Sequence, residues 1–197
     1  MTYHRMHAII TAMTFADRVC ADGFVATSHG YYGHGKKLNG RDVKAGMLLA
    51  DIGPIAHEDD CAHFVSNCVG KTHCELEVGS TKVTFRGGGL NLESLTFIRG
   101  VYGQTSVGPL AAALIRVGAK IVFPQFRPTN YATTRQAILE NLAAGDVLIY
   151  ASKNNHDSYE HSAILVAPQN ICCHTHSRRA QDYNAVHFPW VTLLKLP

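Results

Sequence analysis

The chain has no continuous apolar run of the roughly 18 residues that a helix needs to cross a bilayer. A helical membrane span is therefore not expected. It also lacks a secretory h-region: Ile9-Ile10 is followed by Thr11, Thr14 and Asp17, too polar a stretch for a signal peptide. The expectation is a protein made in the cytoplasm, with any export by a route that reads no cleavable signal. Basic residues form no stripe. The net charge is only +3 and the densest pairs are Lys36-Lys37 and Arg178-Arg179, which argues against a nucleic-acid partner. There is no Cys-x-x-Cys pair, no His-Glu-x-x-His and no lysine-bearing P-loop, so Gly87-Gly88-Gly89 reads as a flexible turn. No cofactor is expected, and the best available metal grouping is Cys172 with His174 and His176. Six cysteines show no framework spacing, and 197 residues can bury a core without bridges. Charged residues are few (17%) against 46% hydrophobic, which excludes a disordered chain.

What is present reads as α+β. Ile9, Ile10, Met13, Ala16, Val19 and Cys20 make one helical stripe over residues 4–21, stopped by Gly23. Residues 23–58 are glycine-rich and aromatic, a loop with short pieces. Asp60 opens a compact helix, Cys61 to Val69, which Gly70 closes at the position where glycine is favoured. Residues 71–108 read as hairpin and loop. Pro109 suits the first turn of a helix ending near Gly118. A short strand covers 119–123, and Thr133 or Thr134 caps a helix to about Ala144. The last third holds apolar runs at 146–151, 161–167, 171–175 and 191–196, the middle pair joined by a turn at Pro168-Gln169-Asn170. Helices precede strands rather than alternating with them, so a helix on an antiparallel sheet is expected. The whole chain, 1–197, reads as one domain with a variable insert at about 71–132.

The segment His57 to Asn67 carries the chemistry. A cysteine in the first turn of a helix meets unpaired N–H groups and the positive end of the helix dipole, which favour the nucleophilic thiolate. The same N–H groups can hold an oxyanion. Asp60 is expected to spend its carboxylate on capping the helix, which would keep that charge from opposing the thiolate. A thiolate needs a proton acceptor. His161 begins a strand after the irregular Asn154–Glu160 stretch, and His174 follows on the next strand, roughly opposite it, where one imidazole could orient the other. His176, two residues on and on the same strand face, is the alternative third residue, with Asp157 or Glu160 next. The bland readings stand beside these: Cys61 as a small core residue, His161 as a structural hydrogen-bonded histidine. Cys68, seven residues after Cys61, falls on the same helical face and reads as core.

Asp60-Cys61-Ala62-His63-Phe64-Val65-Ser66-Asn67 resembles the Asp-Cys-x-Asn-Phe-Val-Ser-Gln motif of a bacterial amidase domain family, a papain-fold clan related to NlpC-type peptidoglycan hydrolases. Gly145-Asp146-Val147 to Tyr150, then Glu160-His161-Ser162 to Leu165, is similar to that family's Gly-Asp-Val and Asp-His-Ser strands. Cys173-His174-Thr175, followed by Arg178, is similar to its closing Gln-His-Ser segment. The likeness covers about 59–70 and 144–179, and residues 71–132 match nothing in it. Two motif positions depart from the pattern, His63 and Asn67. The resemblance implies a papain-like fold, a thiol nucleophile at Cys61, a general base at His161, an orienting residue at His174 and no cofactor. It implies hydrolysis of a peptide or other amide, often in peptidoglycan, in a wall-remodelling enzyme or an antibacterial toxin that an immunity or inhibitor protein would block. The same site could serve a protein or isopeptide protease or an acyltransferase. A non-catalytic binding module on the same fold is the reading from another class.

Overall fold

Valine, isoleucine and leucine in short runs between glycine, asparagine and proline dictate strands in the last third of the chain, and the computed structural model has them there. It describes residues 2–197 except 28, 54–59, 93–100, 127–130, 153–158, 176–177 and 187. In chain order the described elements are α1 (Arg5–Phe15), β1 (Val25–Thr27), β2 (Gly30–Tyr32), α2 (Leu49–Ile52), α3 (Cys61–Val69), β3 (His73–Val78) and β4 (Thr81–Arg86). They continue with α4 (Val107–Arg116), β5 (Lys120–Phe126), α5 (Tyr131–Asn141), β6 (Val147–Ala151), β7 (Tyr159–Ala167), β8 (Asn170–Cys173), β9 (Arg178–Asp182) and β10 (Trp190–Lys195). This is a mixed α/β chain with antiparallel sheets, compatible with α+β.

The main sheet has six strands in the order β5-β10-β6-β7-β8-β9. β1-β2 and β3-β4 are separate hairpins. Both faces of the main sheet are covered, which is why β6 reads as an unbroken apolar run and all five of its residues are buried. On one face Val147, Ile149, Ile164 and Cys172 pack with Phe15 of α1, Phe64 of α3 and Leu110 of α4. On the other, Leu148, Tyr150, Leu165 and Cys173 pack with Ile138 of α5 and with Val186. Gly145 takes φ +95°, and the Asp146 carboxylate is fully buried, holding Arg5 at 2.6 Å and the Leu196 amide at 2.8 Å. The Gly-Asp dipeptide thus ties residues near both ends of the chain to the start of β6.

Several expected boundaries shift, each for a tertiary reason. α1 stops at Phe15 because residues 17–19 pair instead with 46–49: the Val19 amide donates to the Met47 carbonyl at 2.8 Å and the Leu49 amide to the Asp17 carbonyl at 2.9 Å. β9, unread in the sequence, is a charged edge strand whose Arg-Arg-Ala-Gln-Asp text has no apolar alternation, as suits an edge. Gly70 follows α3 in extended backbone (φ −85°), so it serves close approach rather than a left-handed turn; a Cβ there would lie 2.3 Å from the Tyr102 ring. Gly87-Gly88-Gly89 is no flexible turn. Its three amides donate to the Thr72, Cys68 and Gly70 carbonyls at 2.8–2.9 Å, sealing the end of α3. The 71–132 stretch is not peripheral throughout, since β5 pairs with β10 and α4 packs on β7.

Candidate active site

α3 is apolar on one side and polar on the other. Asp60, His63 and Asn67, spaced three and four apart, line one face, and every residue of the helix is buried. The expected cap is not made: no side-chain cap bond closes the helix, and the Asp60 carboxylate turns inward. Its Oδ1 accepts from His63 Nδ1 at 2.8 Å and from the Ala26 amide at 2.8 Å. Its Oδ2 meets His174 Nδ1 at 2.5 Å. His63 Nε2 reaches Asp22 Oδ2 at 2.7 Å, and His174 Nε2 donates to the Phe15 carbonyl at 2.7 Å. The His174 ring stacks on Phe64 with centroids 4.2 Å apart. Cys20 Sγ lies 3.7 Å from Asp60 Oδ2 and 3.9 Å from His174 Nδ1.

These contacts make an alternating chain, Asp22–His63–Asp60–His174, with Asp60, His63 and His174 all at 1% exposure or less. Burial alone would raise the Asp60 carboxyl, but the charges and hydrogen bonds of His63 and His174 outweigh it and hold it at about 2. Burial alone would lower His174, and Cys20 and Asp60 carry it instead up to about 10. His63 is likewise lifted well above 6.5, against burial, by Asp22, Cys20 and Asp60. Two carboxylates and two imidazoliums cancel, which is what lets them sit out of water.

A pH dependence follows from these directions. The histidines' folded values are raised, so their stabilisation is complete below the unfolded value near 6.5 and is lost as pH rises toward 10. That of Asp60 is complete above 3.8 and lost as pH falls through about 2. Urea midpoints in the presence of chelator are therefore expected to be highest at about pH 4–6.5 and to fall steadily by pH 9. A midpoint that is flat or rising from pH 6.5 to 9 would show that the imidazoles are not held charged.

Cys61 sits where the sequence placed it, in the first turn of α3, at 4% exposure. Its thiol lies 3.9 Å from the Glu160 carbonyl, against the start of β7. Contrary to the expectation of a lowered pKa, burial pushes this thiol up. The Asp60 charge adds to that, while the Ser162 and Ala62 amides pull it back only in part. His161 pairs with Tyr150 across the β6–β7 ladder, and its ring lies 5.8 Å from the Tyr150 ring and stacks at 6.0 Å on Phe188. That is the face of Leu148 and Leu165, whereas α3 covers the other. The His161 ring and the α3 helix that carries Cys61 thus lie on opposite faces of the sheet, although the thiol touches the same strand one residue to either side.

The third expected member differs more. Ile164 is opposite Cys172, so the register carried on two residues puts His174 level with Ser162, one residue away from His161 and on the other face. Both His174 nitrogens are taken by Asp60 and Phe15. His174 orients no imidazole of His161 in this arrangement; it holds Asp60. His176 and Asp157 lie outside the described residues. The Glu160 carboxylate bonds the Ser152 hydroxyl. Cys68 is fully buried core, as expected, and all six cysteines are free thiols. Cys172 faces Met13, its sulfur 3.6 Å from Sδ, so the Cys172–His174–His176 grouping receives no support from the described members.

Asp22, His63, Cys20 and Asn67 went unread as site residues. Asp22 accepts from His63, from the Tyr102 amide at 2.8 Å and from the Phe24 amide at 3.1 Å, and it lines a cleft of about 500 Å³ together with Gly23, His34, Asp42 and Lys44. The three-and-four spacing of Asp60, His63 and Asn67 on an apolar helix was the available signal. Comparison of the chain with protein-family models, with curated proteins and with solved structures finds no match.

Proposed function

We propose that the chain is a cysteine amide hydrolase of papain-like fold, with Cys61 as nucleophile and His161 as general acid–base, acting on peptide or amide bonds of the peptidoglycan kind. The observation that carries this reading is the seat of Cys61: first residue of a nine-residue helix, its thiol against residues 160–162 of the strand that bears His161. In the mechanism His161 takes the thiol proton and Cys61 attacks the amide carbonyl. Amides of the first turn of α3 hold the oxyanion, His161 protonates the leaving amine, and water releases the acyl group. At rest the thiol is protonated and the His161 ring faces the other side of β7. Attack therefore requires the start of that strand to move, and the irregular pairing between Tyr150 and Ala151, which leaves Glu160 unmatched, is where it can do so.

A second reading, a binding module on the same fold, is favoured by that separation of faces. Purified sacculi separate the two. The intact chain is expected to release fragments visible by mass spectrometry, and Cys61→Ala to reduce release to background while keeping the circular dichroism spectrum. Absence of fragments, with iodoacetamide labelling Cys61 no faster than buried Cys68, would establish the binding module instead.

A further inference from the structure

We propose that Cys20 Sγ, Asp60 Oδ2 and His174 Nδ1 form a binding site for one zinc-like divalent metal ion, independent of the Cys61 chemistry. The three atoms come from three segments: the turn after α1, the residue before α3 and the residue after β8. They stand 3.7, 3.9 and 2.5 Å apart, and a triangle with those sides has a circumscribed radius of about 2.0 Å, close to a zinc–nitrogen or zinc–oxygen bond. An ion slightly out of their plane reaches the longer distance that a thiolate prefers. One sulfur, one nitrogen and one carboxylate oxygen suit a borderline ion rather than calcium or magnesium.

The atoms behind the ligands are fixed as a metal site requires. His174 gives its other ring N–H to the Phe15 carbonyl at 2.7 Å, which leaves Nδ1 to face the ion. The other Asp60 oxygen is held by His63 and the Ala26 amide. A divalent ion here would bond Cys20 through its sulfur, His174 through Nδ1 and Asp60 through Oδ2, any protons on those atoms passing to solvent. His174 Nδ1 and Asp60 Oδ2 stand 2.5 Å apart, closer than two ligands of a tetrahedral ion, so binding moves these two atoms apart. Three protein ligands leave the fourth position to water, and the cleft lined by Ala21 and Asp22 opens one residue along the chain from Cys20.

The test uses the full chain, stripped with chelator and titrated anaerobically with Co²⁺. We expect one ion per chain, a thiolate-to-cobalt charge-transfer band, and displacement of Co²⁺ by Zn²⁺ with a rise in Tm. Cys20→Ser should remove the band, whereas Cys61→Ser and Cys172→Ser should retain it. X-ray absorption on the zinc-loaded parent, which needs no variant to fold, should find one sulfur among nitrogen and oxygen neighbours. No stoichiometric binding, a band that survives Cys20→Ser, a band lost in Cys61→Ser, or a first shell with no sulfur or with several would each overturn the site.

Discussion

Asp60→Asn is expected to lower the stability of the metal-free chain by about 3–5 kcal/mol, the cost of breaking a buried ion pair from one side. The carboxylate is fully buried and touches two imidazoles at 2.8 and 2.5 Å as well as the Ala26 amide. Removing its charge leaves His63 facing Asp22 alone and takes from His174 the carboxylate that meets its Nδ1, so both imidazoliums are held less firmly in the interior. The asparagine keeps the shape, so the loss is electrostatic and not a cavity. A control sets the scale. Asp17 pairs with Arg179 at the surface, both side chains more than 40% exposed, and Asp17→Asn should cost under about 1 kcal/mol. Against a total stability of about 5–15 kcal/mol for an ordinary domain, the first loss is easily read from urea unfolding with chelator present. An Asp60→Asn chain within 1 kcal/mol of the parent would mean that the buried group is uncharged, and the alternating-charge description would fall.

That network also marks the limit of what the sequence made legible. The Cys61–Val69 helix, the strands at 147–151, 159–167, 170–173 and 190–195, and the helix bearing Pro109 in its first turn were readable because their apolar periodicity is strong and their ends carry Gly, Pro or Asp. α1 ran too long in the sequence because the apolar stripe continues through Val19 and Cys20; those residues are indeed buried, but by pairing with 46–49. The role of Asp60 was misjudged for a like reason. Before a helix an aspartate is a cap by local rules, and only the approach of His174 from 114 residues away makes it the centre of a charge chain. Register decided the rest. A hairpin turn near 168 suggested His161 opposite His174, but Ile164 pairs with Cys172, and a one-residue offset moves a side chain to the other face of a sheet.

The two histidines should therefore separate cleanly by experiment. On the proposed hydrolase reading, His161→Gln is expected to lower turnover on a peptidoglycan or peptide substrate roughly 10²- to 10⁴-fold, the usual contribution of a general acid–base. It should lower the unfolding midpoint less than His174→Gln does, because the ring packs against Tyr150 and Phe188 at centroid distances of 5.8 and 6.0 Å. His174→Gln should behave in the opposite way. It strips Asp60 of one imidazolium and Phe15 of a donor, so stability should fall by several kcal/mol as expected for half of a buried pair. The folded fraction that remains should keep its rate per active site, measured by titrating alkylatable Cys61. An orienting partner of the catalytic imidazole would instead shift the pH profile of the rate while sparing stability. If His174→Gln gives that second pattern, His174 reaches His161 in the working enzyme and the strand end rearranges further than the Glu160 bulge alone. If His161→Gln turns over at the parent's rate, His161 is a structural histidine and the thiol, should it act at all, takes its base from elsewhere.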